Sequence, residues 1–142
     1  MICLDKKEKI KVVYTALSKY NFYARKMISA YVLKNNYLPL NPFTNWDYFL
    51  SDMVDRDLIV RANNNLVYNS QELWQFGCIS DGCLKEIELA ISLNMTIRFF
   101  KIGKTIDEIS LIDIDEIEFE DDVKYDETIN KIKDYKYISK NL

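Results

Sequence analysis

ELWQFGCISDGCLKEIELA, residues 72 to 90, is the stretch on which the reading of the whole chain turns. ELWQF has the length and apolar character of a buried strand, whereas in DGCLKEIELAISLN the residues Leu84, Ile87 and Ile91 share one helical face. Between the two patterns lie Gly77 and Gly82, two of only three glycines in 142 residues. A strand passing through glycines into a helix brings free backbone N–H groups and a partial positive charge to one point. Ser80 and Asp81 add polar side chains there, and Glu86, one turn into the helix, can turn its carboxylate back toward it. Two readings stand side by side. In one, Ser80 or Asp81 only caps the helix and Glu86 is an ordinary first-turn acid. In the other, the point is a ligand site.

Outward from this stretch the patterns alternate. KVVYTAL (11–17) predicts a short buried strand, and FYARKMISAYVLKNN (22–36) a helix that stops at Asn35 and Asn36. YLPLNPF (37–43) predicts a brief strand ending at Asn41, limited by its prolines. TNWDYFLSDMVDRDLIVRANNNLVY (44–68) reads as a long helix, with Thr44 and Asp47 in capping-box spacing and Leu50, Val54 and Leu58 at intervals of four. Asn63, Asn64 and Asn65 are poor helix-interior residues and predict an end or interruption there. MTIRFFKI (95–102) is a fourth strand pattern. Beyond Gly103, residues 106–122 fit either a fifth strand or two short turns, and 127–140 a terminal helix. This alternation predicts one α/β domain over residues 1–142: an open, doubly wound, Rossmann-like or flavodoxin-like parallel sheet of four to five strands with helices on both faces. Ligands of such sheets bind outside the carboxyl ends of the strands, which is where residues 77–82 fall.

Composition narrows the chemistry. The chain has no histidine, which removes Ser-His-Asp and Cys-His catalysis and the commonest zinc ligand. Neither a metal nor a cofactor is expected. A net charge of −3 argues against a nucleic-acid partner. No apolar run has the length of a membrane span and the first ten residues lack a signal-peptide core, so a cytoplasmic protein is expected, with no membrane partner. Cys78 and Cys83, five apart, read as free thiols. Eleven of the 22 acidic residues lie between Asp107 and Glu127, which predicts an acidic, solvated extension from about residue 104. Trp46, Trp74 and Phe76 read as core, Arg98 as a snorkelling edge residue, and Arg25 and Lys101 as surface.

VVYTA with Tyr14 and Ala16, followed by DGCLKEIELA with Gly82, Glu86 and Ala90, resembles the nucleoside 2-deoxyribosyltransferase family and its nucleotide N-hydrolase relatives. The likeness covers roughly residues 11–102 and is nearest a branch in which the tryptophan and glycine around the third strand recur. The resemblance implies an enzyme of N-glycosidic bonds acting on a nucleoside or nucleotide. Glu86 would be the nucleophile on the anomeric carbon and Tyr14 would hold it. Ser80, Asp81, Gly82, Asn63 and Asn64 would bind the substrate, and the active form would be at least a homodimer. The chain also departs from that family. Leu17 stands where a glycine is usual, Glu88 where a second glycine is frequent, and Asn63 where the general acid is expected. Asp52 or Asp55 is then the candidate acid. The alternative is a non-catalytic nucleotide-binding module, a sensor or sequestering protein, on the same fold.

Overall fold

Residues 9–46, 52–121, 123 and 126–142 are described by the computed structural model, and all structural statements concern these. Alternation along the first strand, β1 (Val12–Leu17), sends Val13 and Leu17 to one face of a sheet and Tyr14 and Ala16 to the other. All but its first residue are buried, as expected of a strand covered on both sides. A tight turn over Lys19–Ala24, started by the Ser18 side chain, leads into α1 (Arg25–Lys34). The helix therefore begins later than its apolar pattern, and Phe22 belongs to the turn. It ends at Asn35, with Asn36 at φ +66°, a conformation asparagine tolerates.

The second strand, β2 (Leu38–Leu40), is short. Buried Asn41 closes it, donating to Thr15 Oγ1 at 3.0 Å and accepting from the Phe43 N–H at 2.8 Å. That second bond starts α2 (Pro42–Trp46).

The single long helix expected over 44–68 is not found. The described part holds α2 and a separate α3 (Arg56–Tyr68), with a turn at residues 52–54. The repeat of Leu50, Val54 and Leu58 misled: Val54 lies in that turn and Leu58 is exposed, while Leu50 and Asp47 lie outside the described residues. The asparagine triplet also fails to end the helix, since α3 runs through it. Asn65 donates to the Arg61 carbonyl one turn back, at 2.8 Å, so its amide supplements the helix bonds where it was expected to compete with them.

The stretch quoted first forms β3 (Glu72–Phe76), fully buried, then a loop and α4 (Asp81–Ser92). It is followed by β4 (Thr96–Lys101). Strands β1 to β4 are mutually parallel in the order β2-β1-β3-β4, and β5 (Ser110–Leu111) pairs antiparallel with the end of β4. Two short turns, at Ile106–Glu108 and Ile114–Glu116, flank β5, so the segment contains both of the structures its pattern allowed. The chain then forms α5 (Asp126–Asp134) and returns along β4, where Ile138 pairs with Ile97.

Two apolar layers hold the helices to the sheet. On one face Val13, Leu17, Trp74, Phe76 and Phe100 pack against Ile28 and Val32 of α1. On the other, Leu73, Ile97 and Phe99 meet Leu84, Ile87 and Ala90 of α4, Val67 of α3 and Ile132 of α5. The segment beyond residue 104 is not a solvated appendage as its charge predicted. Ile109, Val123 and Ile132 are buried in these layers, and its acids occupy the positions between them. Trp74 and Phe76 are wholly buried, while Trp46 is half-buried. Arg98 is also unlike its expectation: its side chain is only 11% exposed and pairs with buried Glu72.

Candidate active site

Strand order reverses between β1 and β3, because the chain passes from β1 to β2 on one side and returns to β3 on the other. A crevice outside the carboxyl ends of β1 and β3 follows from that topology. A cavity of about 350 Å³ occupies it. Among the described residues it is lined by Leu17 at the end of β1 and Ser18 and Lys19 beyond it, by Phe43 and Arg56, by Ser80 with Asp81, Gly82, Cys83 and Glu86 of α4, and by Glu120.

Helix α4 enters the crevice with its start well defined. The Ser80 hydroxyl accepts from the Cys83 N–H at 3.2 Å, so Ser80, and not Asp81, is the cap. The two glycines differ in purpose. Gly77 has φ +77°, and a side chain there would come within 2.7 Å of Asn21 Nδ2, so the sharp exit from β3 requires it. At Gly82 no such need exists: the nearest atom to an added Cβ is Ser80 Oγ, at 3.9 Å. The space beside Gly82 is cavity.

Side chains in a helix lean toward its N-terminus, so Glu86 points back over the sheet toward Tyr14 of β1. Glu86 as a residue is partly accessible, but its Oε2 atom is buried. Three buried side-chain atoms lack a hydrogen-bond partner among the described residues: Glu86 Oε2, Tyr14 Oη and Gln75 Oε1. Tyr14 and Gln75 lie on neighbouring strands and face α4, since Tyr14 is in register with Leu73 and Ala16 with Gln75. Buried polar atoms are ordinarily paired, and of these three residues Glu86 is the one that lines the cavity, where its unpartnered oxygen can meet a ligand.

Burial raises the Glu86 carboxyl from its usual 4.5 to about 7, and the facing Tyr14 hydroxyl opposes the rise. Tyr14 is pushed well above its usual value of 10, first by burial and then by the charge of Glu86. It therefore keeps its proton and can only donate toward an ionised Glu86. The Cys83 thiol rises to about 11, again by burial first and Glu86 second, which leaves it protonated and a poor nucleophile. Glu86 is thus a carboxylate that gains and loses its proton near neutrality at the edge of the cavity.

Of the residues singled out from sequence, Glu86, Ser80, Asp81 and Gly82 line the cavity, with Tyr14 beneath Glu86. Asn63, Asn64, Asp52 and Asp55 do not line it among the described residues. Asn63 instead accepts from Trp46 Nε1 at 2.6 Å, tying α2 to α3. Asp55 precedes α3 without capping it through its side chain. Glu88 does not crowd Glu86, since it accepts from Thr128 of α5 at 2.7 Å. Arg25 lies over the Phe22 ring, away from the cavity.

Ser18, Gln75 and Glu120 were missed. A glutamine within the apolar run ELWQF was a readable signal; nothing local marked Glu120. The described residues contain no cluster of three or more Cys, Asp or Glu side chains that could hold a metal ion.

A 2-deoxyribosyltransferase from the psychrotolerant bacterium Bacillus psychrosaccharolyticus has a similar solved structure, with a TM-score of 0.54. The similarity covers 92% of this chain and 99% of that one at 14% sequence identity, and so concerns the fold. None of the curated proteins compared with the chain matches it in sequence. Residues 10–100, which carry β1 through most of β4 and with them Tyr14 and Glu86, match one family model. The chain belongs to the family described as Domain of unknown function (DUF7768).

Proposed function

We propose that the protein cleaves the N-glycosidic bond of a nucleoside or nucleotide, with Glu86 as nucleophile. One observation carries this reading: Glu86 lines the switch-point cavity with a buried, unpartnered oxygen, facing a tyrosine that can only donate to it. A Glu86 oxygen attacks C1′ of the sugar while the C1′–N bond breaks and its electron pair leaves with the base, which takes a proton from solvent. Water then attacks C1′ and gives up one proton to solvent, the bond to Glu86 breaks, and the carboxylate is restored with release of the sugar. If a second base replaces water, the same intermediate gives transfer. Tyr14 holds Glu86 by donating to its ionised form.

Glu86→Gln keeps the shape but removes the attacking charge. Free base released from a panel of nucleosides and nucleotides, followed by chromatography, should fall by several orders of magnitude while calorimetric binding persists. Wild-type activity should also fall as pH drops through about 7, as Glu86 takes up its proton. Tyr14→Phe removes the group that lowers the Glu86 pKa and should move that limb to higher pH. Base release unchanged in Glu86→Gln rules the mechanism out.

A second reading is favoured by one observation: neither Asp52 nor Asp55, the expected acids for the leaving base, lines the cavity. A binding module on this fold would bind the same ligands, release no base, and change only in affinity on Glu86→Gln.

A further inference from the structure

The acidic segment reaches the cavity by a route fixed in the backbone. Ile79, wholly buried in the loop between β3 and α4, donates its N–H to the Glu118 carbonyl at 2.9 Å. The Glu120 N–H donates to the Ile79 carbonyl at 3.0 Å, and Phe119 pairs alongside as in a parallel strand. The backbone of Glu120 is therefore anchored one residue from Ser80, the cap of α4. Its side chain turns toward β1, where the Ser18 hydroxyl donates to Glu120 Oε1 at 2.5 Å. Ser18 is itself buried and accepts from the Tyr20 N–H at 3.2 Å, so its one proton is directed at Glu120.

This arrangement bears on which substrates enter. The start of α4, open at Gly82 and with Lys19 and Arg56 on the lining, would otherwise suit an anion. The chain puts a carboxylate of its own there. A ligand phosphate would meet the charge of Glu120 and compete with it for the Ser18 hydroxyl. A neutral hydroxyl, in contrast, can donate to Glu120 Oε2 while Ser18 keeps Oε1.

We propose that Glu120 is a specificity-determining residue, selecting a substrate whose sugar ends in a free hydroxyl over one that carries a phosphate. This rests on the proposed N-glycosidic function and narrows its substrate class to nucleosides.

The test is a comparison of 2′-deoxynucleosides with their 5′-monophosphates by calorimetry, on wild type and Glu120→Gln at constant ionic strength. Wild type should bind the nucleoside at least tenfold more tightly than its monophosphate. Glu120→Gln, which keeps size and can still accept from Ser18, should shrink that ratio at least tenfold. The wild-type ratio is read without any variant, so the proposal stands exposed even where Glu120→Gln does not fold. Monophosphate binding as tight as nucleoside binding in wild type overturns it, as does an unchanged ratio in folded Glu120→Gln; in both cases the N-glycosidic reading survives. Failure of wild type and variant to bind either ligand overturns both together.

Discussion

Glu72, at the amino end of β3, accepts from Trp74 Nε1 at 2.9 Å, pairs with Arg98 and lies 3.7 Å from Lys11 Nζ. Glu86, across the carboxyl end of the same strand, keeps a buried oxygen without a partner and titrates near 7. Both carboxyls have buried oxygens, but only one is compensated. At the amino end, Arg98 also lies over the rings of Trp74 and Tyr37, at 5.4 and 5.9 Å from their centroids. Charge, hydrogen bonds and aromatic faces there are all used within the chain. At the carboxyl end the chain leaves polar atoms unused beside a cavity. The buried carboxylate is compensated at one end of the sheet and left uncompensated at the other.

The largest effect should come from the compensated end. Glu72→Ala leaves the Arg98 guanidinium largely buried without a counter-charge and removes the acceptor of Trp74 Nε1. A loss of about 3–5 kcal/mol is expected, read as a lower denaturant midpoint in chemical unfolding. Replacing Glu72 and Arg98 together by methionine should recover much of it, because no unpaired charge then remains. A Glu72→Ala variant as stable as wild type would mean that this end is not the anchor described.

The uncompensated end should behave in the opposite way, and with a pH signature. A carboxyl raised from 4.5 to about 7 binds its proton more tightly in the folded state. Its effect on stability is absent below about pH 4.5, where both states are protonated. It grows as the unfolded state ionises, and reaches its full cost above about pH 7, on the order of 3 kcal/mol. Glu86→Gln should therefore stabilise the protein at pH 8 and leave it nearly unchanged at pH 4, measured by unfolding at both values. A gain equal at both pH values would show that the carboxyl is not held out of water as described.

The two ends also differ in how far they can be read from sequence. Strands β1, β3 and β4 and helix α4 were legible because uninterrupted apolar runs and a helical stripe suffice to define them. Gly82 and Glu86 stood out because they fall in the first turns of a helix that follows a buried strand, whereas Tyr14, inside β1, was singled out only by the family resemblance. The pairing of Arg98 with Glu72 was hidden, since it depends on register: Trp74 stands opposite Arg98, and Glu72 two residues earlier shares its face. Glu120 was hidden more deeply, meeting Ser18 across 102 residues of sequence through a segment whose charge suggested solvent. The break between α2 and α3 was obscured by apolar residues that happen to fall four apart.

The smallest effect tests the opening at the carboxyl end directly. Gly82 sits in the first turn of α4 without positive φ, and an added methyl group would meet nothing closer than 3.9 Å. Glycine costs a helix up to about 1 kcal/mol relative to alanine, and less near the terminus. Gly82→Ala should therefore raise stability by a few tenths of a kcal/mol, a gain the chain forgoes. If the space beside Gly82 receives a nucleoside, the same methyl group should weaken nucleoside binding about tenfold by calorimetry. The two measurements separate a glycine kept for backbone freedom, as at Gly77, from one kept for a ligand. Increased stability with undiminished binding would place the ligand elsewhere in the cavity, and lowered stability would show that α4 needs this glycine for its own conformation.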